Sequence, residues 1–332
     1  DHELVIPWQD YMTTRCDALW KWQQSHAKKI VEETNRYGNV IYEMCNEPCH
    51  FPDGEGLPKD DEVNAWQSHL IHLVREKEKG SPNQHLVAGQ QAMTIRPFDQ
   101  PSDLSFDEMD VDVVNIHPLP NTICGGKSYE LGEFMSKQLK LEAIRDFALA
   151  AYKKGKPLNN DEDNAATQYK DEEGWTVHRK RAWTSLMCGA HYDMIDFSIV
   201  PYLETGTPAS KKGIRLWFQH LSSFVHSVDL IKARPMAKWL KQVPDNVVAS
   251  VFGVEGDDYC VYLADSREVN EPGFGRSIDG EISFDLPDGS YGVSCYSPVS
   301  GVYSPETLLI DGSGCSVQLP TFEHDIVARI RR

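Results

Sequence analysis

The sequence predicts an α/β fold: a parallel barrel of alternating helices and strands, incomplete within this chain, followed by an antiparallel β-sandwich. Three observations predict it. Helical and strand patterns alternate repeatedly between about residues 17 and 228, with long loops after the strands. No Gly-rich phosphate loop of either nucleotide type is present, which favours a barrel over a doubly wound nucleotide-binding sheet. From about residue 236 the texture changes to short strands separated by Gly- and Asp-rich turns. The expected division is therefore a barrel portion over 1–235 and a sandwich over 236–332.

Each element has its own signal. Leu19, Trp22, Ala27, Ile30, Val31 and Thr34 mark an amphipathic helix over 17–37, closed by Gly38. Val40 to Met44 are apolar or aromatic except Glu43, which predicts a short strand buried on both faces, stopped by Pro48. A second helix, over 60–79, carries Val63, Trp66, Leu70, Leu73 and Val74 on one face. A strand over 85–89 ends at Gln90, and one over 111–116 ends at His117. A helix over 131–154 stops at Gly155; the next strand runs from Pro157 to Asp161-Glu162-Asp163. A helix over 171–190, a strand over 194–200 followed by Tyr202, and a helix over 208–228 complete the barrel portion. The tryptophans at 20, 22, 66, 175 and 183 sit at helical spacing and are expected mostly in the core. Sandwich strands are expected over 247–252, 259–263, 281–286, 292–296 and 326–330.

Composition narrows the function classes. Of 332 residues, 40% are apolar and 25% charged, as in ordinary globular proteins. A net charge of −17 without a basic run argues against nucleic-acid partners and fits a neutral substrate. No apolar run approaches the ~18 residues that span a bilayer, so no membrane partner is expected. The eight cysteines are scattered. Cys45 and Cys49 flank Asn46-Glu47-Pro48 with only His50 adjacent, so they read as buried thiols rather than zinc ligands. No strand end carries a His-x-His pair, and no metal or other cofactor is expected. The chain begins with Asp1 and has no signal peptide, which reads as a processed or trimmed product, secreted or periplasmic rather than cytoplasmic.

The chemistry lies at two strand ends. Glu47 follows the 40–45 strand and Glu162 closes the 157–163 strand. In a parallel barrel both project from the same rim, the rim where barrel enzymes keep their reacting groups. Two carboxylates across such a site can split a glycosidic bond, one as general acid, the other attacking the anomeric carbon or activating water. Asp161 and Asp163 flank Glu162 and point to the other face of a regular strand. Gln90 stands on the same rim, Trp8 is a candidate pocket wall as well as a packing residue, and Tyr202 is a platform for a sugar ring.

With those residues in place, the chain resembles clan A glycoside hydrolases, of the cellulase-like and apiosidase-like kind. Asn46-Glu47-Pro48 resembles their fourth-strand motif, Lys156-Pro157 to Glu162 their seventh-strand segment, and Arg181-Ala182-Trp183 to Gly189-Ala190 their penultimate helix. The resemblance covers about residues 1–330. It implies a (β/α)8 TIM-type barrel with a C-terminal sandwich. It further implies retaining hydrolysis of a β-linked carbohydrate, with Glu47 as acid/base and Glu162 as nucleophile. By the same match Asn46 binds the sugar 2-hydroxyl, and His117 contacts substrate or nucleophile. The chain departs from the pattern at His117-Pro118-Leu119, where His-x-Tyr is usual, and at Asp196-Phe197-Ser198, where a Trp often stands. Only a short stretch precedes the first helix, so the first three strands are expected from a second chain or to have been lost by processing. The contrasting expectation is a non-catalytic carbohydrate-binding protein with a truncated barrel.

Overall fold

A computed structural model describes residues 6–48, 56–92, 104–116, 140–163, 172–194, 207–269, 271–310 and 314–332. Five parallel strands form one sheet in chain order: β1 (Ile41–Glu43), β2 (Leu86–Gly89), β3 (Val113–Ile116), β4 (Leu158–Asp163) and β5 (His191–Met194). Between and around them run α1 (Asp17–Thr34), α2 (Asp60–Glu78), α3 (Leu141–Tyr152), α4 (Glu172–Met187) and α5 (Pro208–Val225). This strand-by-strand order with intervening helices is the progression of a TIM-type α/β barrel wall.

The two faces of the sheet differ. Tyr42, Val87, Val114, Ile116 and Leu158 point one way and pack into a core with Val31, Ile71, Val74, Ile144 and Phe147 from the helices. On the other face, Ile41 (55%) and Leu86 (49%) are exposed, with Glu43, His191 and Asp193. The expectation that the first strand is buried on both faces therefore fails: its burial alternates exposed, buried, exposed. Val40 to Met44 read as two-sided because both faces of a closed barrel wall are covered; among the described residues the lumen face is exposed at Ile41, Glu43 and Leu86 and buried at Ala88 and Asn115. Trp22 is likewise not core: it is 75% exposed on α1, with Ile30 one helical face along. Helical spacing assigned Trp22 and Val31 to one stripe, but only the Val31 side meets the sheet. The fifth strand lies at His191–Met194, earlier than the expected 194–200, whose remainder is outside the described residues.

A buried pair ties the C-terminal ends of α1 and α2 to the start of β2. His85, just before β2, places Nδ1 2.5 Å from Glu78 Oε1, and Asn35 Nδ2 donates to the same oxygen at 2.8 Å. Burial pushes the Glu78 carboxyl up, but the hydrogen bonds from His85 and Asn35 more than offset it, so its pKa is lowered from 4.5. The Glu78 hydrogen bond raises His85 from 6.5, against burial and with help from the Tyr37 carbonyl. The His85 contribution is full below its unfolded value and is lost as pH rises through its raised folded value. The Glu78 contribution is present above its unfolded value and is lost as pH falls through its lowered folded value. Stability from this pair therefore peaks between about 4.5 and 6.5, the ordinary values of the two groups. Thermal melts against pH should show that maximum, and Glu78→Gln should flatten it; an unchanged profile would rule the pair out as its source.

The C-terminal part holds two antiparallel sheets. One has the order β12 (Thr307–Ile310), β11 (Ser290–Tyr296), β14 (Asp325–Arg331), β9 (Asp258–Asp265), β8 (Val247–Val254) and β6 (Arg234–Pro235). The other has the order β13 (Cys315–Phe322), β10 (Ile278–Phe284) and β7 (Leu240–Gln242). Strict alternation along β9 explains the packing. Tyr259, Val261 and Leu263 enter the core between the sheets, while Cys260, Tyr262 and Ala264 face α4 and α5, meeting Trp183, Leu221 and Phe224. Trp183 stacks on Tyr262 with ring centroids 5.4 Å apart. Strands β6, β7, β12 and β13 were not expected from the sequence, although in β13 Cys315, Val317 and Leu319 alternate with Ser316 and Gln318 before Pro320 interrupts the pattern.

Candidate active site

Because the five strands are parallel, their carboxyl ends share one rim, and Glu47 and Glu162 both stand there. Both have left-handed backbones, φ 45° and 53°, two of four such non-glycine residues among those described. That conformation costs a side-chain-bearing residue on the order of 1–3 kcal/mol and persists only where surroundings enforce it. Both residues are half-buried, and Pro48 behind Glu47 is buried. Asn46 is exposed beside Glu47.

A β-bulge sets up Glu162. On β5, Tyr192 and Met194 are two residues apart and pair with Asn160 and Asp163, three apart on β4. The extra residue breaks the alternation. Asn160 and Asp163 both turn to the helix layer: Asn160 Nδ2 donates to Ser185 Oγ at 3.0 Å, and Arg181 Nη1 donates to both Asp163 oxygens at 2.9 Å. In a regular strand Glu162 would share the face of Asn160 and lie under α4; the bulge removes it from that face. Asp163, an acid beside Glu162 in sequence, is committed to Arg181 and to the hydroxyl of Tyr192 at 3.0 Å.

Two lumen-face residues near this rim were missed by the sequence reading. Asn115 Nδ2 donates to Glu43 Oε1 at 2.9 Å, linking β3 to β1. Their signal was available: each is a polar residue interrupting an apolar strand. Cys45 gives its thiol to the Asn46 carbonyl, and burial together with Glu43 pushes it up to about 11, so it is no thiolate. Among the described residues no three of His, Cys, Asp and Glu cluster to hold a metal, and no helix is long and apolar enough to cross a membrane.

The other candidates fare differently. Gln90 is buried, 3% exposed, with its Oε1 lacking a hydrogen bond among the described residues; its carbonyl accepts from Gln67 Nε2 at 3.1 Å. Trp8 sits on a single 3-10 turn and is 56% exposed. His117 and Tyr202 lie outside the described residues. A cleft of about 460 Å³ opens beside β1, lined by Asn46, Glu43, Tyr11, His26 and Trp66 among others; neither Glu47 nor Glu162 lines it.

No family model and no curated protein matches the chain. Solved structures match in fold. A family 5 glycoside hydrolase from Bacteroides vulgatus is 15% identical with a TM-score of 0.61, over 95% of this chain and 68% of that one. A second glycoside hydrolase is 12% identical with a TM-score of 0.59, over 94% of this chain and 69% of that one. The catalytic domain of a family 30 xylanase C from Talaromyces cellulolyticus is 12% identical with a TM-score of 0.50, over 94% and 67%. At these identities the likeness is one of fold, in agreement with the resemblance read from the motifs, and the chain spans about two thirds of each.

Proposed function

We propose that this protein is a retaining glycoside hydrolase of β-linked carbohydrate, with Glu162 as nucleophile and Glu47 as acid/base. The observation that carries the reading is the pair of glutamates at one rim of one parallel sheet, each held in a left-handed backbone that only its surroundings can enforce. The fold likeness to glycoside hydrolases supports it. In the first step a Glu162 oxygen bonds to the anomeric carbon, the bond to the leaving oxygen breaks, and Glu47 gives that oxygen its proton. In the second, Glu47 takes a proton from water, the water oxygen attacks the anomeric carbon, and Glu162 leaves as carboxylate. Such a mechanism calls for carboxyl groups about 5–5.5 Å apart in the working enzyme. Asn46 would bind the 2-hydroxyl, with His117, Tyr202, Trp8 and Gln90 as further sugar contacts. A polymeric substrate would place the enzyme outside the cytoplasm. The exposure of Ile41 and Leu86 on the lumen face supports one addition: further strands from another segment or a second chain cover them, and the light-scattering mass of the active species tells which.

Glu47→Gln tests the role of the acid. Turnover of substrates with poor leaving groups should fall about 10²–10⁴-fold. Dinitrophenyl glycosides, whose leaving group needs no proton, should form the glycosyl-enzyme nearly as fast as with wild type. Equal losses on both substrates would remove Glu47 from the role.

A further inference from the structure

Helix α4 is buried on every side. Trp175, His178, Arg179, Lys180, Arg181 and Trp183 are all nearly inaccessible, although the segment carries consecutive cations. Two opposite faces of the helix explain this. Arg181 and Ser185 are one turn apart and face β4, where they hold Asp163 and Asn160. These two contacts bracket the bulge that contains Glu162. Arg179, on the other side, faces the sandwich. Its Nη2 donates to Asp325 Oδ1 at 2.7 Å and its Nε to Asp325 Oδ2 at 2.9 Å, while Tyr262 donates to the same carboxylate at 2.9 Å. Lys180 Nζ donates to the carbonyls of Asp265 and Arg267 at 3.0 and 3.1 Å.

We propose that α4 and the sandwich behind it position Glu162: Arg181 and Ser185 clamp the bulge, and Asp325 and Tyr262 fix the helix that carries the clamp. The consequence for turnover rests on the glycosidase reading above; the geometric claim does not. A left-handed glutamate relaxes toward extended backbone once its bracketing contacts loosen, because φ near 53° is strained for a residue with a side chain and the neighbouring Asp161, which accepts the Glu162 N–H at 3.1 Å, is one local contact against that strain. The sandwich on this account is a brace for the nucleophile, with no carbohydrate contact of its own required.

The test uses the full-length protein with Arg181→Lys, Ser185→Ala and Asp325→Asn, and Arg329→Lys as a control. Arg329 forms a buried pair with Asp258, also donates to Ser227 just past α5 and lies over the Phe224 ring, but hydrogen-bonds neither α4 nor β4, so its loss lowers stability without breaking the clamp. Lysine cannot reproduce the guanidinium geometry, so Arg181→Lys should lower kcat about 100-fold with KM nearly unchanged. Ser185→Ala and Asp325→Asn should each lower kcat several-fold, and Arg329→Lys should leave it unchanged. Crystal structures should show residue 162 leaving the left-handed region in Arg181→Lys and keeping it in Arg329→Lys. Wild-type kcat in folded Arg181→Lys and Ser185→Ala, or an Asp325→Asn loss no greater than that of Arg329→Lys at matched Tm, would overturn the proposal. If wild-type protein cleaves no glycoside, the functional reading fails, and the backbone of residue 162 in the variants still decides the positioning claim.

Discussion

Glu162→Gln should reduce hydrolysis on the order of 10⁴-fold or more while leaving the melting temperature nearly unchanged. The amide preserves shape but cannot bond to the anomeric carbon, so the glycosyl-enzyme never forms. Glu162→Gly with added azide sharpens the test. Azide occupying the vacated space attacks once and gives the glycosyl azide of inverted configuration. The Glu47 variants with azide should give the retained product instead, because their intermediate still forms on Glu162. Product anomers read by proton NMR separate the two roles. An active Glu162→Gln enzyme, or identical azide products from both sites, would dismiss Glu162 as nucleophile.

The largest stability effect is expected at Arg179. Its guanidinium is almost fully buried, pairs with a fully buried Asp325 and lies over the Trp217 ring at 4.2 Å. Arg179→Met leaves that carboxylate uncompensated, with Tyr262 as its remaining described donor. Breaking such a pair costs about 3–5 kcal/mol, where an exposed pair would cost about 0–1 kcal/mol. Urea titration should show the midpoint falling at constant slope. Adding Asp325→Leu to Arg179→Met should recover much of the loss, since the buried charge then disappears as well. A single-variant cost within the exposed-pair range would mean that the two groups are solvated in solution.

Much of the architecture was legible in the chain. Apolar periodicity placed α1, α2, α5 and the strands β1 to β4, because a helix or strand against a covered layer must show its period. The strand-end acids were legible for a related reason: a carboxylate closing an apolar run has no packing explanation. Helix α4 was located, but its environment was not. Its run Arg179-Lys180-Arg181 looks like a solvated face, and only the partners Asp325, Asp163 and the Asp265 carbonyl, all distant in sequence, make it core. Trp22 failed in the opposite sense, an apolar residue at helical spacing left exposed because its side of α1 has no neighbour among the described residues.

What the sequence alone determined is which residues alternate, where helices and strands fall, and that two glutamates close two parallel strands, since those follow from local period and turn chemistry. The β4 bulge, the commitment of Asp163 to Arg181 and the link from the sandwich to Glu162 were decided only by tertiary structure. A bulge is a mismatch between two strands, and a buried ion pair joins residues far apart in the chain; neither leaves a periodic trace in one sequence.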